Sequence, residues 1–152
     1  MTDAFKKALT NVVGPILQRP KRLQVGALCY REEGASKKVL LISSRDTGRW
    51  IIPKGWPIDG KHAHEAAMQE AWEEAGVKSG NVSDKMIGTY DYEKELKTGL
   101  PVTVETLVYP IRVERLTDSY PEAHQRKRKW VSPSEAANLV REPELKAILR
   151  QL

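Results

Sequence analysis

Apolar residues recur at intervals of three and four between positions 62 and 75 of this chain, which is the spacing of one helix face. They are mostly small and comprise Ala67, Met68, Ala71, Trp72 and Ala75. We predict a helix that begins near His62, where Glu65 three residues on caps the first turn. It ends at Ala75, after which Gly76 adopts the left-handed conformation. The small side chains of this face predict close packing against a sheet.

Shorter apolar runs on both sides of this helix predict strands. Before it, residues 22–31 and 38–44 form two runs, and the wholly apolar sequence VLLI in the second predicts a central strand. After it, residues 85–92 and 101–113 predict a hairpin whose tip is the charged turn EKELKTGL. Pro110 lies within the last of these strands and predicts an edge position or a bulge there.

Helical patterns close both ends of the chain. Residues 2–13 carry an amphipathic stripe, which predicts a short surface helix within an N-terminal extension over residues 1–20. At the other end, the SPSE sequence from Ser132 begins a helix and residues 144–152 continue helically. The order of strands, one central helix, strands and terminal helices predicts a single layered domain of the α/β or α+β class over residues 1–152.

The charge balance narrows the choice of partners. The chain has 152 residues and a formal net charge of +5, although an acidic cluster lies on the predicted helix. The basic excess therefore lies elsewhere and favours anionic partners, namely nucleic acid, membrane headgroups or a phosphorylated small molecule. No run is apolar for long enough to span a bilayer, no secretory signal opens the chain, and the lone Cys29 excludes a disulfide framework. We expect a cytoplasmic protein without a membrane partner, and no pattern predicts an oligomeric state.

The strongest chemical signal is a glycine loop followed by three carboxylates on the predicted helix. Glu70, Glu73 and Glu74 stand at i, i+3 and i+4, so we predict that they converge on one patch opposite the core face. Such a cluster is often only a solvated surface. Here, however, like charges cost about 0.2–0.5 kcal/mol per pair, and the last turn faces the negative end of the helix dipole. No Lys or Arg one turn away compensates, so a divalent cation with oxygen ligands, Mg²⁺ above all, becomes the favoured explanation.

The same segment resembles the box of the Nudix hydrolases, G-x5-E-x7-R-E-U-x-E-E-x-G-U, in which U is a bulky apolar residue. The matching residues are Gly55, Glu70, Glu73, Glu74, Gly76 and Val77. Two polar positions differ, since Lys61 replaces the Glu of the family and Gln69 replaces its Arg. In the family this Glu and Arg pair and fix the loop against the helix, so losing both leaves no unpaired charge. The departure predicts a looser loop and an altered rate rather than a different reaction.

The resemblance implies a Nudix fold, which is a mixed β-sheet between helices, with the box loop and helix over residues 55–77. It also implies a metal-dependent hydrolase that cleaves a phosphoanhydride bond with Mg²⁺, or with Mn²⁺ as the alternative cation. The implied metal ligands are Glu70, Glu74 and a backbone carbonyl of Lys54 or Gly55. Glu73 would be the general base or a further ligand.

Two further stretches, VLLISSRDTGRWIIPKG and RKRKWVSPSEA, resemble the diphosphoinositol polyphosphate phosphohydrolase branch of this family. That branch acts on crowded phosphates, and its phosphate contacts match Arg22, Ser43, Ser44, Arg45 and Arg126, with Lys54 as a further cation. Guanidinium groups and hydroxyls both donate well to phosphate oxygens. After Arg22, however, Leu23 and Gln24 replace a basic run of the branch. Dinucleoside polyphosphates and inositol pyrophosphates therefore both remain candidate substrates, and RNA 5′-triphosphate ends are less favoured.

A hypothesis of a different class is a Nudix-like binding module without catalysis. In that interpretation Lys61 and Gln69 mark relaxed selection of the box, and the basic run at 126–129 binds RNA or a polyphosphate ligand. Turnover that depends on Mg²⁺ would support the enzyme, whereas tight binding without turnover would support the module. We also expect the loop over residues 118–125 to lie near the site, with Tyr120, Glu122 and His124 as candidates for substrate contact or assistance to the base.

Overall fold

The computed structural model describes residues 20–152, in which eight strands form one mixed sheet. The strands are β1 (Arg22–Glu33), β2 (Ser36–Ser43), β3 (Trp50–Ile51), β4 (Lys54–Gly55), β5 (Val77–Val82), β6 (Gly88–Glu95), β7 (Pro101–Leu116) and β8 (Arg128–Val131). Their order is β3-β2-β1-β7-β5, with β4 paired to β1, β6 to β7 and β8 to β2. β1 and β7 run parallel from the pair Arg22 and Val104, and the other pairs are antiparallel.

Helices cover both faces of this sheet. They are α1 (Ala63–Ala75), α2 (Pro133–Leu139) and α3 (Pro143–Arg150). Successive side chains of β1 point to opposite faces, so Ala27 packs in one core layer with Ala71 of α1, and Leu28 packs in the other with Leu145 of α3. The predicted architecture, a mixed sheet between helices, is confirmed.

Local sequence signals define both ends of α1. His62 is the N-cap, and its backbone N–H donates to the Glu65 carboxylate at 2.9 Å, which completes a capping box. Gly76 ends the helix with a φ of 74°, in the left-handed region that favours glycine. Of the predicted core face, the fully buried residues are Ala67, Ala71 and Ala75, and the half-buried ones are Met68 and Trp72.

The prediction of an edge or a bulge at Pro110 is wrong. β7 is an interior strand, with β1 on one side and both β6 and β5 on the other. The Pro110 carbonyl accepts the Ser83 N–H at 3.1 Å, so this residue directs its backbone groups towards the side of β5 and β6. β6 stops pairing at Val108 and β5 at Ile111, so the N–H that proline lacks would face the gap between them.

The β6–β7 hairpin has a shorter tip than predicted. Glu95 pairs with Pro101, which confines the turn to residues 96–100. The helix predicted over residues 2–13 lies outside the described residues. Between residues 20 and 152, none of the helices combines the length and the apolar character that crossing a membrane requires.

Candidate active site

A cleft of about 320 Å³ opens between α1, β4, β6 and the segments that follow β2 and precede β8. Of the predicted site residues, it brings together Ser44, Arg45, Lys54, Gly55, Glu70, Glu74 and Arg126. The other lining residues are Gln24, Asp46, Ile51, Trp56, Tyr92, Lys94 and Glu122. Three predicted residues, Arg22, Ser43 and Glu73, do not line it. Carboxylates and cations therefore share one polar cleft, as a site for phosphates and a cation requires.

Glu70 lies directly against the backbone of Gly55, and this contact explains the glycine. A Cβ at position 55 would collide with the Glu70 carboxyl group. Burial and, after it, the negative charges of Glu74, Glu73 and Glu122 together raise the pKa of Glu70 to about 8. The carboxyl group therefore occupies a crowded negative environment that a cation would relieve.

Glu74 is the buried carboxylate of the helix, with 9% of its side chain exposed. Its Oε1 accepts the backbone N–H of Lys54 at 3.0 Å, and its Oε2 accepts Nη2 of Arg126 at 3.1 Å. Burial raises the pKa of Glu74, while Arg126 and the Lys54 N–H oppose that shift. Both oxygens are thus fixed by donors, and each keeps a second lone pair.

Arg126 joins three segments beneath the cleft. Its Nε donates to Glu122 at 3.0 Å, its Nη1 to the carbonyl of Ser43 at 3.1 Å, and its Nη2 to Glu74. Only 5% of its side chain is exposed. The residue was predicted as a phosphate contact, but most of its donor capacity is directed at protein oxygens.

The Glu73 side chain has a different partner from that of Glu74. Its Oε1 accepts the side-chain amide of Gln69 at 2.9 Å, one turn earlier on α1. Glu73 therefore does not line the cleft, whereas Glu74 does, although the negative charge of Glu73 still raises the pKa of Glu70. Lys61 and Gln69, the two departures from the box, both line a separate groove on the outer side of α1.

The last turn of α1 is stabilised by residues far along the chain. Nη1 of Arg128 donates to the carbonyl of Ala75 at 2.7 Å and to that of Thr117 at 2.9 Å. The backbone N–H of Glu122 donates to the carbonyl of Glu73 at 3.0 Å. These donors satisfy carbonyls at the negative end of the helix, which has no basic residue in its own last turn.

Arg128 and Glu122 thus matter more than the sequence indicated. The signal that could have found Arg128 was present in the basic run, where Arg126 and Arg128 are separated by one residue and both reach α1. Lys127 is exposed, and the ammonium of Lys129 lies over the Trp50 ring at 4.5 Å. The loop over residues 118–125 lies beside the site as expected, with Glu122 lining the cleft. Tyr120 instead stacks under the Arg128 guanidinium at 4.9 Å.

The end of β2 and the segment after it present one exposed cation and two hydrogen-bonded hydroxyls. The Ser43 hydroxyl accepts the Lys127 backbone N–H at 2.8 Å and is buried. The Ser44 hydroxyl pairs with that of Thr47 at 2.8 Å. Arg45 keeps 57% of its side chain exposed, and its partners among residues 20–152 are Glu122 at 3.5 Å and Gln125 at 3.2 Å. Of these predicted contacts, Arg45 is the one best placed to turn towards a ligand.

Lys54 and the aromatic residues form the opposite wall. Burial lowers the pKa of Lys54 to about 8, and its ammonium lies 5.1 Å from the centre of the Tyr92 ring. The Tyr92 hydroxyl donates to Gln24, which is buried. Trp56 is 38% exposed at the rim. Arg22 is exposed at the start of β1, two residues before Gln24, and lies beyond the cleft.

The donor set decides whether these residues fit a divalent cation. In the stretch from 20 to 152, no three His, Cys, Asp or Glu side chains are arranged to hold a cation by themselves. Glu70 and Glu74 nevertheless line one cleft, and the glycine at 55 keeps the backbone open beside Glu70. Mg²⁺ is commonly bound by one or two carboxylates with waters and substrate phosphates, so the residues fit this cation.

The comparisons with known sequences all point to one protein family. The family model of the NUDIX domain matches residues 20–152 of this chain. The Arabidopsis thaliana protein named Nudix hydrolase 21, chloroplastic, is 36% identical over 141 residues, covering 87% of this chain and 68% of its own. Human diphosphoinositol polyphosphate phosphohydrolase 3-beta is 29% identical over 119 residues, covering 77% of this chain and 68% of its own.

Solved structures share the fold. The C. elegans Ap4A hydrolase superposes with a TM-score of 0.61 at 21% identity, covering 87% of this chain and 96% of its own. The NUDIX domain of Shewanella oneidensis NrtR, complexed with ADP ribose, superposes with a TM-score of 0.63 at 16% identity. It covers 99% of this chain and 98% of its own. Sheet and helices therefore follow an arrangement already known from experiment.

Proposed function

The chain belongs to the Nudix family and is a hydrolase of phosphoanhydride bonds, and we propose that it works with Mg²⁺ held by Glu70 and Glu74. A backbone carbonyl of Lys54 or Gly55 completes the protein ligands, and Mn²⁺ is the alternative cation. The observation that carries this proposal is the Glu70 carboxyl group lying against Gly55, with Glu74 in the same cleft. When bound, the cation would polarise phosphate oxygens and lower the pKa of an attacking water.

The remaining roles follow from the charges around the cleft. Arg45 and Lys54 neutralise phosphate charge as the P–O–P bond breaks, since both line the cleft and Arg45 is free to turn. Glu73 is our candidate for the base that takes a proton from water, a role that requires its carboxylate to leave the Gln69 amide and turn towards the cleft beside Glu70. Its described side-chain partner is the neutral amide of Gln69, which leaves the carboxylate charge uncompensated.

We propose a compact, highly phosphorylated small molecule as the substrate, either an inositol pyrophosphate or a dinucleoside polyphosphate. Two observations support this class: the cleft is lined mainly by polar side chains, and the human relative is a diphosphoinositol polyphosphate phosphohydrolase. Trp56 at the rim offers a stacking surface for a base, which keeps dinucleoside polyphosphates in the class. RNA 5′ ends are a less favoured substrate, and the cytoplasmic location stays a prediction.

A product-release screen tests this proposal: it follows phosphate or pyrophosphate from inositol pyrophosphates and RNA 5′-triphosphates, and mononucleotides from diadenosine polyphosphates, because cleaving one P–O–P bond between two nucleosides frees no phosphate. Diadenosine polyphosphates, inositol pyrophosphates and RNA 5′-triphosphates are each incubated with the protein in Mg²⁺, in Mn²⁺ and in chelator. We expect release that requires the cation, and a loss of more than about 100-fold in Glu70→Gln, since even substitutions behind metal ligands cost about 10–100-fold. Glu114→Gln, on the exposed part of β7, is the matched control and keeps full activity. Tight binding of these compounds without turnover would support the non-catalytic module instead.

A further inference from the structure

Arg126 occupies an unusual position for a residue of a phosphate-binding cleft. It lines the cleft, yet only 5% of its side chain is exposed, and each of its three nitrogens donates to a protein oxygen. Arginines that bind substrate phosphates present a planar fork of donors to the ligand. Here the fork is directed at Glu74 and at the carbonyl of Ser43, so little of it is available to a ligand.

The partner of Arg126 is one of the two carboxylates assigned to the cation. Nη2 of Arg126 lies 3.1 Å from Oε2 of Glu74, and the other oxygen of Glu74 accepts the Lys54 N–H. A divalent cation that binds Glu74 therefore approaches the positive charge of Arg126, which is already hydrogen-bonded to that carboxylate. At such short range two positive charges repel strongly, because little water screens them in a buried site.

The Glu122 carboxylate is a second ion-pair partner for the Arg126 guanidinium. Its Oε1 accepts Nε of Arg126 at 3.0 Å, and its own backbone N–H is bound to the Glu73 carbonyl at 3.0 Å. The loop that carries Glu122 is thus attached to the last turn of α1. An arginine released by Glu74 remains neutralised by Glu122, and its Nη1 stays on the Ser43 carbonyl.

We propose that Arg126 is an internal counter-cation of Glu74, with which the divalent cation competes, and that Glu122 retains the guanidinium when the cation takes Glu74. This inference rests on the proposed function, because it assumes that Glu74 is a metal ligand. It makes Arg126 a positioning residue rather than a phosphate contact, and it gives Glu122 a role in setting the affinity of the site for its cation.

Mn²⁺ affinity of the substrate-free protein, measured by electron paramagnetic resonance of free Mn²⁺, tests the inference without activity. We expect Arg126→Gln to bind Mn²⁺ roughly tenfold more tightly, since a repulsion of about 1.4 kcal/mol is removed. Glu122→Gln should bind it several-fold more weakly, because the guanidinium then depends on Glu74 alone. Arg126→Lys keeps the charge and should stay close to wild type.

Lys127→Gln is the matched control, since it removes the same charge from an exposed neighbour and should change the affinity less than about twofold. Unchanged or weaker Mn²⁺ binding in Arg126→Gln would overturn the inference, as would unchanged binding in Glu122→Gln. If Arg126→Gln does not fold, the Mn²⁺ affinity of Glu122→Gln tests the inference by itself, and weaker binding than wild type supports it. Wild-type protein that binds no Mn²⁺ would overturn the proposed function as well, whereas Mn²⁺ binding that is lost in Glu70→Gln would keep it.

Discussion

The helices on the two faces of the sheet are stabilised in different ways. α2 and α3 use their own sequence, since the Ser132 hydroxyl accepts the Glu135 N–H at 3.2 Å and prolines occupy the first helical position of each. α1 begins with a local capping box, but its last turn carries acidic residues and no basic one. The compensating charges are Arg126 and Arg128, which come from the approach to β8 and its first residue. A helix end that breaks local rules can therefore be satisfied by distant residues, so such a break marks a site without proving a metal.

The largest expected difference between the two faces concerns Leu145 of α3, which is fully buried. Leu145→Ala should lower the free energy of unfolding by about 2–5 kcal/mol, because it removes buried atoms and leaves a cavity. The rate constant of the folded enzyme should stay unchanged, since this layer lies across the sheet from the cleft. Urea unfolding followed by fluorescence, with assays at low temperature, checks both. A loss of turnover in fully folded protein would contradict the separation of the two faces.

Arg128 provides the corresponding test on the α1 face. Arg128→Gln should cost about 1.5–3 kcal/mol of stability, because hydrogen bonds to the Ala75 and Thr117 carbonyls from a charged group are lost. Turnover should fall as well, since the turn that carries Glu73 and Glu74 loses its support. Lys129→Gln, one residue on and directed at Trp50, is the control and should cost less than about 1 kcal/mol. Equal effects of the two substitutions would show that Arg128 has no special role.

The raised pKa of Glu70 predicts a pH-dependent effect on the α1 face. In the unfolded chain this carboxyl ionises near its ordinary pKa of 4.5, but in the folded protein near 8. Raising the pH between these values therefore favours unfolding of the cation-free protein. Glu70→Gln removes this cost, so in chelator at pH 8 its melting temperature should exceed wild type by about 2–4 °C. The difference should vanish near pH 4.5, and a constant difference across this range would contradict the explanation.

The smallest expected effect concerns the local cap of α2. Ser132→Ala should lower the free energy of unfolding by about 0.5–1 kcal/mol, the usual cost of losing a side-chain N-cap. Activity should not change, because Ser132 lies on the face opposite α1. Ser132→Asp keeps an acceptor and should retain most of the stability. A loss above that of Arg128→Gln would reverse the ranking that the comparison predicts.

How much of the molecule could be predicted from sequence depends on how local each signal is. The bounds of α1 were predicted because His62, Glu65 and Gly76 act within one turn of its ends. The hairpin over residues 85–113 was predicted because its strands are close in sequence, and in β7 the alternate residues Val104, Thr106 and Val108 are fully buried. Pro110 was misread because its place depends on β5, a strand that was not predicted from the sequence, and on the residue at which β6 stops pairing.

The site shows the same limit more sharply. The box correctly predicted that Gly55, Glu70 and Glu74 share one cleft. It could not reveal the different orientations of Glu73 and Glu74, because these follow from the short-range amide of Gln69 and the distant guanidinium of Arg126. The resemblance named Ser43 as a phosphate contact, but Ser43 is buried beside the Lys127 backbone and does not line this cleft. Such assignments depend on tertiary partners rather than on residue type.

The parallel pairing of β1 with β7, which aligns Arg22 with Val104, has a consequence for synthesis on the ribosome. A parallel pair joins distant parts of the chain and forms slowly, because a long loop must close first. The acidic helix emerges well before β7, and the arginines that neutralise it emerge later still. Glu74 cannot gain its Arg126 partner until residue 126 has left the exit tunnel, so we expect the cleft to be completed only after most of the chain has been synthesised.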